Sequence, residues 1–411
     1  MKNSFYFVLD KYLVSGSSML ATFMLANALG PEKYSELAFA FTIISAISVF
    51  TFYCNDQQLQ VDMIKNGDMA NSILYSSTLV RVLVSCCLVI LISILVNITD
   101  VISKEIYIAI SFYLLFFSFD QLRSHFIANN NPNDLVKYTV PAIIISALLK
   151  FFLIYQSSSE IELSFIYLLD PLLLSIAFVI YFYSKIKDDD DVLIFDLKYI
   201  LSLHIRCFPL FISAIIVMLH NTIDHYVVRA YMDKVDYANY NLMMKFVGVY
   251  ILMSSVFNLS KIKIIVNQST SNLGASSSSN AIIELFRETL IFAIFSTTLY
   301  LLITPIIFTK YFSDFNVPFM YFMYSCPLIF FSFFQSSISR LLIIFGLSND
   351  LLFRNASSLV VLVVLIAIMI NIERISIELI SVILSFCVFY NCCLFLIFRP
   401  KLIGIVRMMF K

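Results

Sequence analysis

Leu79-Val80-Arg81-Val82-Leu83-Val84-Ser85-Cys86-Cys87-Leu88-Val89-Ile90-Leu91-Ile92-Ser93-Ile94-Leu95-Val96 holds a single charge, Arg81, in an otherwise apolar run. The run it belongs to, residues 73–96, is long enough to cross the hydrocarbon of a bilayer, which takes about 20 residues of helix. Runs of this kind follow one another along nearly the whole chain, near 6–29, 36–54, 73–96, 105–127, 135–155, 163–183, 207–231, 237–260, 281–308, 317–345, 351–371 and 376–398. Composition agrees: 60% of the 411 residues are hydrophobic and 13% charged, with a mean hydropathy of +0.91. Soluble domains carry about 25% charged residues. The chain reads as an all-α integral membrane protein of twelve transmembrane helices, working through its spans and short loops, which excludes most enzymes.

At the N-terminus Lys2 and Lys11 precede an apolar stretch, and Ala26-Asn27-Ala28 imitates a signal-peptidase site. The stretch from Phe5 to Leu29 exceeds a usual signal core, so it is expected to stay as the first transmembrane helix. The eight cysteines lie mostly within apolar runs without metal-ligand spacing, and the four histidines form no His-x-x-x-His pattern. No metal or cofactor is expected.

Net charge is zero, so distribution matters more, and no nucleic-acid partner is implied. The even-numbered breaks and adjoining span ends hold Lys65, Arg81, Arg123, Lys137, Lys185, Lys187, Lys198, Arg206, Lys261, Lys263, Arg287, Arg340 and Arg354. With the two termini they hold most of the 27 basic residues. Basic loops stay in the cytoplasm, which puts both termini there. The longest polar break, Ser184 to Arg206, carries Asp188-Asp189-Asp190-Asp191 and falls at the midpoint. It divides the chain into an N-terminal six-helix lobe (1–184), a cytoplasmic linker (185–206) and a C-terminal six-helix lobe (207–411). Ser269–Asn280 forms a second cytoplasmic break. Pro31 to Phe41 aligns faintly with Lys234 to Met244, and Asn133-Asp134-Leu135 answers Asn349-Asp350-Leu351. Six plus six spans in one orientation predict two lobes related by a pseudo-two-fold along the membrane normal.

Leu29-Gly30-Pro31-Glu32-Lys33-Tyr34, directly after the first span, resembles the LGPxxYG hallmark of Wzx-type polysaccharide (O-antigen) flippases of the multidrug/oligosaccharidyl-lipid/polysaccharide exporter superfamily. Phe208-Pro209-Leu210, followed by Asn221-Thr222-Ile223-Asp224-His225 in span 7, is similar to the family's second signature. Ser35 stands where the family usually has glycine, and the chain lacks tryptophan. The resemblance implies a non-enzymatic flippase. It would carry polyprenyl-diphosphate-linked oligosaccharide, an O-antigen or capsule repeat unit for lipopolysaccharide or polysaccharide biosynthesis, across a bacterial inner membrane, alongside the polymerase and chain-length regulator of the same pathway. Its mechanism would be alternating access, two lobes rocking about a central cavity.

Charges at bilayer depth need partners or a wet cavity. Comparing depths at about 1.5 Å per residue pairs Arg81 with Asp120, Lys150 with Asp170, and Asp224 with Lys245. Arg81, Arg123, Lys150 and Lys245 are the expected cavity cations for a diphosphate, with arginine suited by its planar fork. Asp224, Asp120 and Asp170 are expected as ion-coupling groups or charge partners. Asp56 is expected to be solvated, and His220 and His225 to line a core or cavity wall. Two alternatives stand beside the flippase. A drug/cation antiporter of the same superfamily would favour an acidic cavity. A membrane polysaccharide polymerase needs a sizeable external loop, and Asn97–Lys104 and Gln156–Glu162 are short.

Overall fold

The computed structural model describes residues 2–51, 56–65, 69–99, 103–129, 131–156, 159–189, 195, 197–270, 275–312, 314–315, 317–344 and 347–398. Among these the regular elements are helical, with no strand. In chain order they are α1 (Lys2–Ile47), α2 (Asp56–Lys65), α3 (Ala70–Ile98), α4 (Lys104–Phe117), α5 (Arg123–Ala128), α6 (Pro132–Gln156), α7 (Glu160–Ser164) and α8 (Ile166–Asp189). There follow α9 (Leu197–His220), α10 (Ile223–Tyr231), α11 (Lys234–Thr270), α12 (Ala275–Tyr311), α13 (Phe319–Ile344), α14 (Ser348–Asn371) and α15 (Ile377–Phe398).

Ten segments are long and apolar enough to cross a membrane. One of them, Tyr12–Phe50, contains two spans parted at Gly30. The 37-residue α11 supplies a further helix of spanning length. The fold is therefore the twelve-span, two-lobe, all-α membrane architecture expected from the sequence. Gly30 has φ 70° and ψ 171°, a conformation open essentially to glycine alone. Pro31 follows at the first position of the next helix, where its missing N–H costs nothing. Ala21 and Leu25 before this turn share a core with Leu37, Ala40 and Ile44 after it. In a straight helix Ala21 and Ile44 would lie about 35 Å apart, so the chain folds back at Gly30. The Leu29-Gly30-Pro31 hallmark is a backbone requirement.

Two compact units divide the chain at Met218/Leu219, within span 7, whereas the sequence places the division at the polar break. That break is shorter than its composition suggests, because α8 runs to Asp189 and α9 starts at Leu197. Asp190 and Asp191 of the aspartate run lie outside the described residues. The break expected over 269–280 narrows likewise, with residues 271–274 outside the described set. Pro171 lies inside α8, and this span is interrupted at Phe165, where α7 gives way to α8.

The first unit has two apolar clusters with a polar layer between them. One cluster gathers Leu59, Met63, Ile73, Leu74, Phe126, Leu135, Phe178, Leu203 and Cys207. The other gathers Leu25, Leu37, Ile92, Val96, Ile110, Leu114, Ile166 and Tyr167. Along α3, Ile73 and Leu74 belong to the first and Ile92 and Val96 to the second, and the buried residues between include Ser76, Ser77, Thr78, Arg81 and Ser85. Helix α6 repeats the pattern, with Ser146 and Lys150 following Ala142 and Ile143. In the second unit α13 packs against α11, α12, α14 and α15. An aromatic core joins Phe246 to Phe308 (5.0 Å between ring centroids), Phe308 to Phe322 (5.1 Å) and Tyr250 to Tyr300 (5.2 Å).

Candidate functional site

Lys150 is 3% exposed and forms an ion pair with Asp170. Its ammonium also donates to the Ser17 hydroxyl at 3.3 Å, Ser17 donates to Asp170 at 3.2 Å, and Ser146 donates to the same carboxylate oxygen at 2.6 Å. This web ties α1, α6 and α8 together inside the polar layer. Depth comparison anticipates the Lys150–Asp170 pair, because both stand near the same end of antiparallel neighbours. Hydroxyls supply the remaining hydrogen bonds that a buried pair needs to offset its desolvation.

Arg81 does not take Asp120 as its principal partner, as depth alone suggested. It donates to Asp56 at 2.5 Å, and Asp56, expected to be solvated, is only partly exposed. The helical rise predicts level along the membrane normal and says nothing about which neighbour a side chain faces, so two acids at one depth compete. Asp120 instead lies 3.3 Å from Arg123, which is also 3.7 Å from Asp10. The Arg123 guanidinium stands 5.6 Å from the centroid of the Phe178 ring. Arg123, expected as a cavity cation, is buried between these two acids. Asp10 is 1% exposed and was missed, although a lone carboxylate in the first apolar run was a signal available to any scan for buried charge.

Asp62 was missed too. It accepts from the Tyr199 hydroxyl at 2.9 Å and pairs with Arg206 at 3.0 Å, tying the start of span 7 to α2. Its isolated, partly polar helix was not read as a span, so its burial had no periodic signal.

In the second unit, the helix breaks at Asn221–Thr222 between α9 and α10, leaving Asp224 on the first turn of α10. Asp224 is 1% exposed and accepts a hydrogen bond from the Tyr240 hydroxyl of α11. The His225 ring meets Tyr240 and Tyr237 edge-on at 5.2 and 6.0 Å. Asp224 and Lys245 both lie within electrostatic range of His225, so the expected Asp224, Lys245 and His225 gather in one neighbourhood. The first direct partner of Asp224 is a tyrosine the sequence did not single out.

Arg354 was counted among the basic residues that mark cytoplasmic loops. It is instead 3% exposed inside α14. Its Nη2 donates to Ser339 of α13 at 2.6 Å and to Asn355 at 3.4 Å. Among the described residues no group of three or more His, Cys, Asp or Glu could hold a metal ion.

No curated relative matches the chain. Among solved structures, the chain superposes on an inward-facing multidrug resistance MATE family transporter of the MOP superfamily with a TM-score of 0.72 at 12% identity, covering 96% of each chain. The MATE multidrug transporter DinF-BH gives 0.72 at 14% identity over 97% of this chain and 94% of that one. The lipid II flippase MurJ in an inward closed conformation gives 0.67 at 16% identity over 96% of this chain and 87% of that one. At these identities the likeness establishes the fold, a multi-pass membrane architecture shared by transporters and flippases. The model of the family described as polysaccharide biosynthesis protein matches residues 1–259. That span takes in all of the first unit, the Leu29-Gly30-Pro31 turn and the Asp224 site, and the chain belongs to this polysaccharide biosynthesis family.

Proposed function

We propose that this protein is a flippase that moves polyprenyl-diphosphate-linked oligosaccharide, such as an O-antigen or capsule repeat unit, from the cytoplasmic to the periplasmic leaflet of a bacterial inner membrane. The observation that carries this reading is the mixed charge of the buried polar layer in a polysaccharide biosynthesis chain. Arg81 and Lys150 are buried there beside acids, and Arg123 is buried beside acids within the first cluster, whereas an antiporter of cationic drugs would favour acids alone. In this reading the polar interiors of the lobes open alternately to either side of the membrane, and both termini lie in the cytoplasm. Asp224, held by Tyr240 beside His225 and Lys245, couples the cycle to an ion or resets the empty carrier. Lys150 and Asp170 hold the helices of the first lobe in register, and the headgroup meets cations that exchange a carboxylate for a phosphate.

A second reading, a drug antiporter, draws support from the MATE structures with TM-scores of 0.72. Deletion of the gene separates the two. For a flippase, surface glycan disappears and lipid-linked oligosaccharide accumulates on the cytoplasmic leaflet, while drug susceptibility stays constant. Full surface glycan together with raised susceptibility would establish the antiporter instead. Complementation with the Arg81→Gln/Lys245→Gln double variant is expected to leave protein in the membrane without restoring export.

A further inference from the structure

Arg354 differs from the buried cations of the first unit in one respect: no carboxylate pairs with it among the described residues, and every aspartate and glutamate of its unit lies among them. Three helices meet around it. Its Nη2 is held on α13 by Ser339 and on α14 by Asn355, and the Cys392 thiol of α15 is within its electrostatic range. Ser358 of α14 donates to the Cys387 carbonyl of α15 at 3.2 Å, and the Cys392 thiol to the Phe331 carbonyl of α13 at 3.7 Å, so the three helices are cross-tied at this level. Two of the three guanidinium nitrogens, Nε and Nη1, are buried with no hydrogen-bond partner. So is the Asn391 side-chain oxygen, on the residue before Cys392.

Arginine does not escape burial by losing its proton. A guanidinium at 3% exposure therefore keeps its charge in an apolar lobe, and a buried charge without a partner is strongly disfavoured. With Nη2 committed to Ser339, the open donors sit on different edges of the guanidinium. That arrangement suits a ligand with several charged oxygens at more than one bearing, which a phosphate or diphosphate has and a single carboxylate lacks.

We propose that Arg354, positioned by Ser339 and Asn355, is the primary contact of an anion site for a phosphate or diphosphate group in the second unit. It deepens the flippase reading and rests on it only for the identity of the lipid. On the orientation implied by the basic breaks, Arg354 lies about 9 Å along α14 from its cytoplasmic start, at 1.5 Å per residue. That is the depth at which a headgroup enters from the inner leaflet.

The test uses the full-length protein in phosphatidylcholine nanodiscs, with thermal unfolding followed against farnesyl diphosphate and, separately, inorganic pyrophosphate. Saturable stabilisation of the wild type is expected, with half-saturation at least about 10-fold weaker in Arg354→Met and intermediate in Arg354→Lys, which keeps the charge and loses the fork. Stabilisation by farnesyl diphosphate alone assigns a lipid headgroup, and stabilisation by pyrophosphate alone a soluble phosphate. No stabilisation by either, or equal affinity in Arg354→Met, overturns the site. Should Arg354→Met not yield folded protein, phenylglyoxal labelling of the wild type gives the answer. Labelling of Arg354 that pyrophosphate or farnesyl diphosphate suppresses supports the site, and Arg354 left unlabelled or labelled equally with and without them overturns it. The measurement involves no glycan, so a protein that binds diphosphate at Arg354 yet fails the export assay sinks the flippase reading and keeps the site.

Discussion

In the first unit Lys150 lies against Asp170 within a web of two serines, whereas in the second Arg354, equally buried at 3% exposure, is held by a serine and an asparagine alone. Arg81 and Arg123 follow the first pattern, each beside its own carboxylate. A cation already matched by an acid contributes mainly to the rotation and register of its helix, and offers an incoming anion little until the pair opens. A cation left with open donors is stabilised by what binds it. Arg123 also has two buried nitrogens without a hydrogen-bond partner, so what separates the two regions is the carboxylate beside the cation, present in the first and lacking at Arg354 among the described residues.

The largest effect that can break this contrast is the loss of Asp170. Asp170→Ala leaves Lys150 buried and uncompensated, and is expected to cost about 3–5 kcal/mol of stability in detergent unfolding. The double change Lys150→Met/Asp170→Leu should recover most of that loss, because a buried pair exchanged for apolar side chains is commonly neutral. Arg354→Met removes a charge with no carboxylate to strand, so its expected effect lies between no change and a gain of about 2 kcal/mol. A loss as large as that of Asp170→Ala would make the two regions alike and end the comparison.

Asp10→Asn sharpens it. Arg123 keeps Asp120 at 3.3 Å when the contact at 3.7 Å with Asp10 is weakened, so a loss of about 2 kcal/mol is expected, smaller than for Asp170. Tyr240→Phe removes the donor to buried Asp224 and should cost about 1–2 kcal/mol. It should also alter ion dependence of transport if Asp224 couples the cycle, which a purely structural tyrosine would not do. The smallest effect is expected at Arg206, half-exposed beside Asp62. Arg206→Gln should cost less than about 1 kcal/mol, and a larger loss would mean that the α2–α9 contact carries more than its solvent exposure suggests.

Much of this architecture is legible in the sequence because each span needs a long apolar run, and such runs survive any uncertainty about neighbours. Gly30 and Pro31 are legible for a different reason, since only a residue without a Cβ adopts φ 70° with ψ 171°. The charges inside the runs could be found, as Arg81, Lys150 and Asp224 were. Their partners could not, because rise along a helix gives depth and the contact also depends on the azimuth of each helix about its axis. Hence Arg81 meets Asp56 and not primarily Asp120, and Asp224 meets Tyr240. Arg354 was read as a loop marker although it lies three residues inside the run 351–371. The same criterion that drew attention to Arg81 applies to it, and a basic residue near a span end satisfies the rules for loops and for cores alike. Asp10 is hard to read because it stands beside Lys11 at the start of the apolar stretch, where a charge also fits a solvated span end.

The pairing of Asp10 with Arg123 also sets an order of events during biosynthesis. The two residues are 113 positions apart (123 − 10), and chains grow at about 5–20 residues per second. For roughly 6–23 s after Asp10 leaves the ribosome, its counter-ion does not yet exist. Ser17 waits longer still for Lys150 and Asp170, 133 and 153 residues downstream. The apolar span itself begins at Tyr12, two residues after Asp10, so the carboxylate stands at its end and the span can enter the lipid before Arg123 is made. The polar contacts of the first helix are completed only when the fourth span brings Arg123 and later spans bring Lys150 and Asp170.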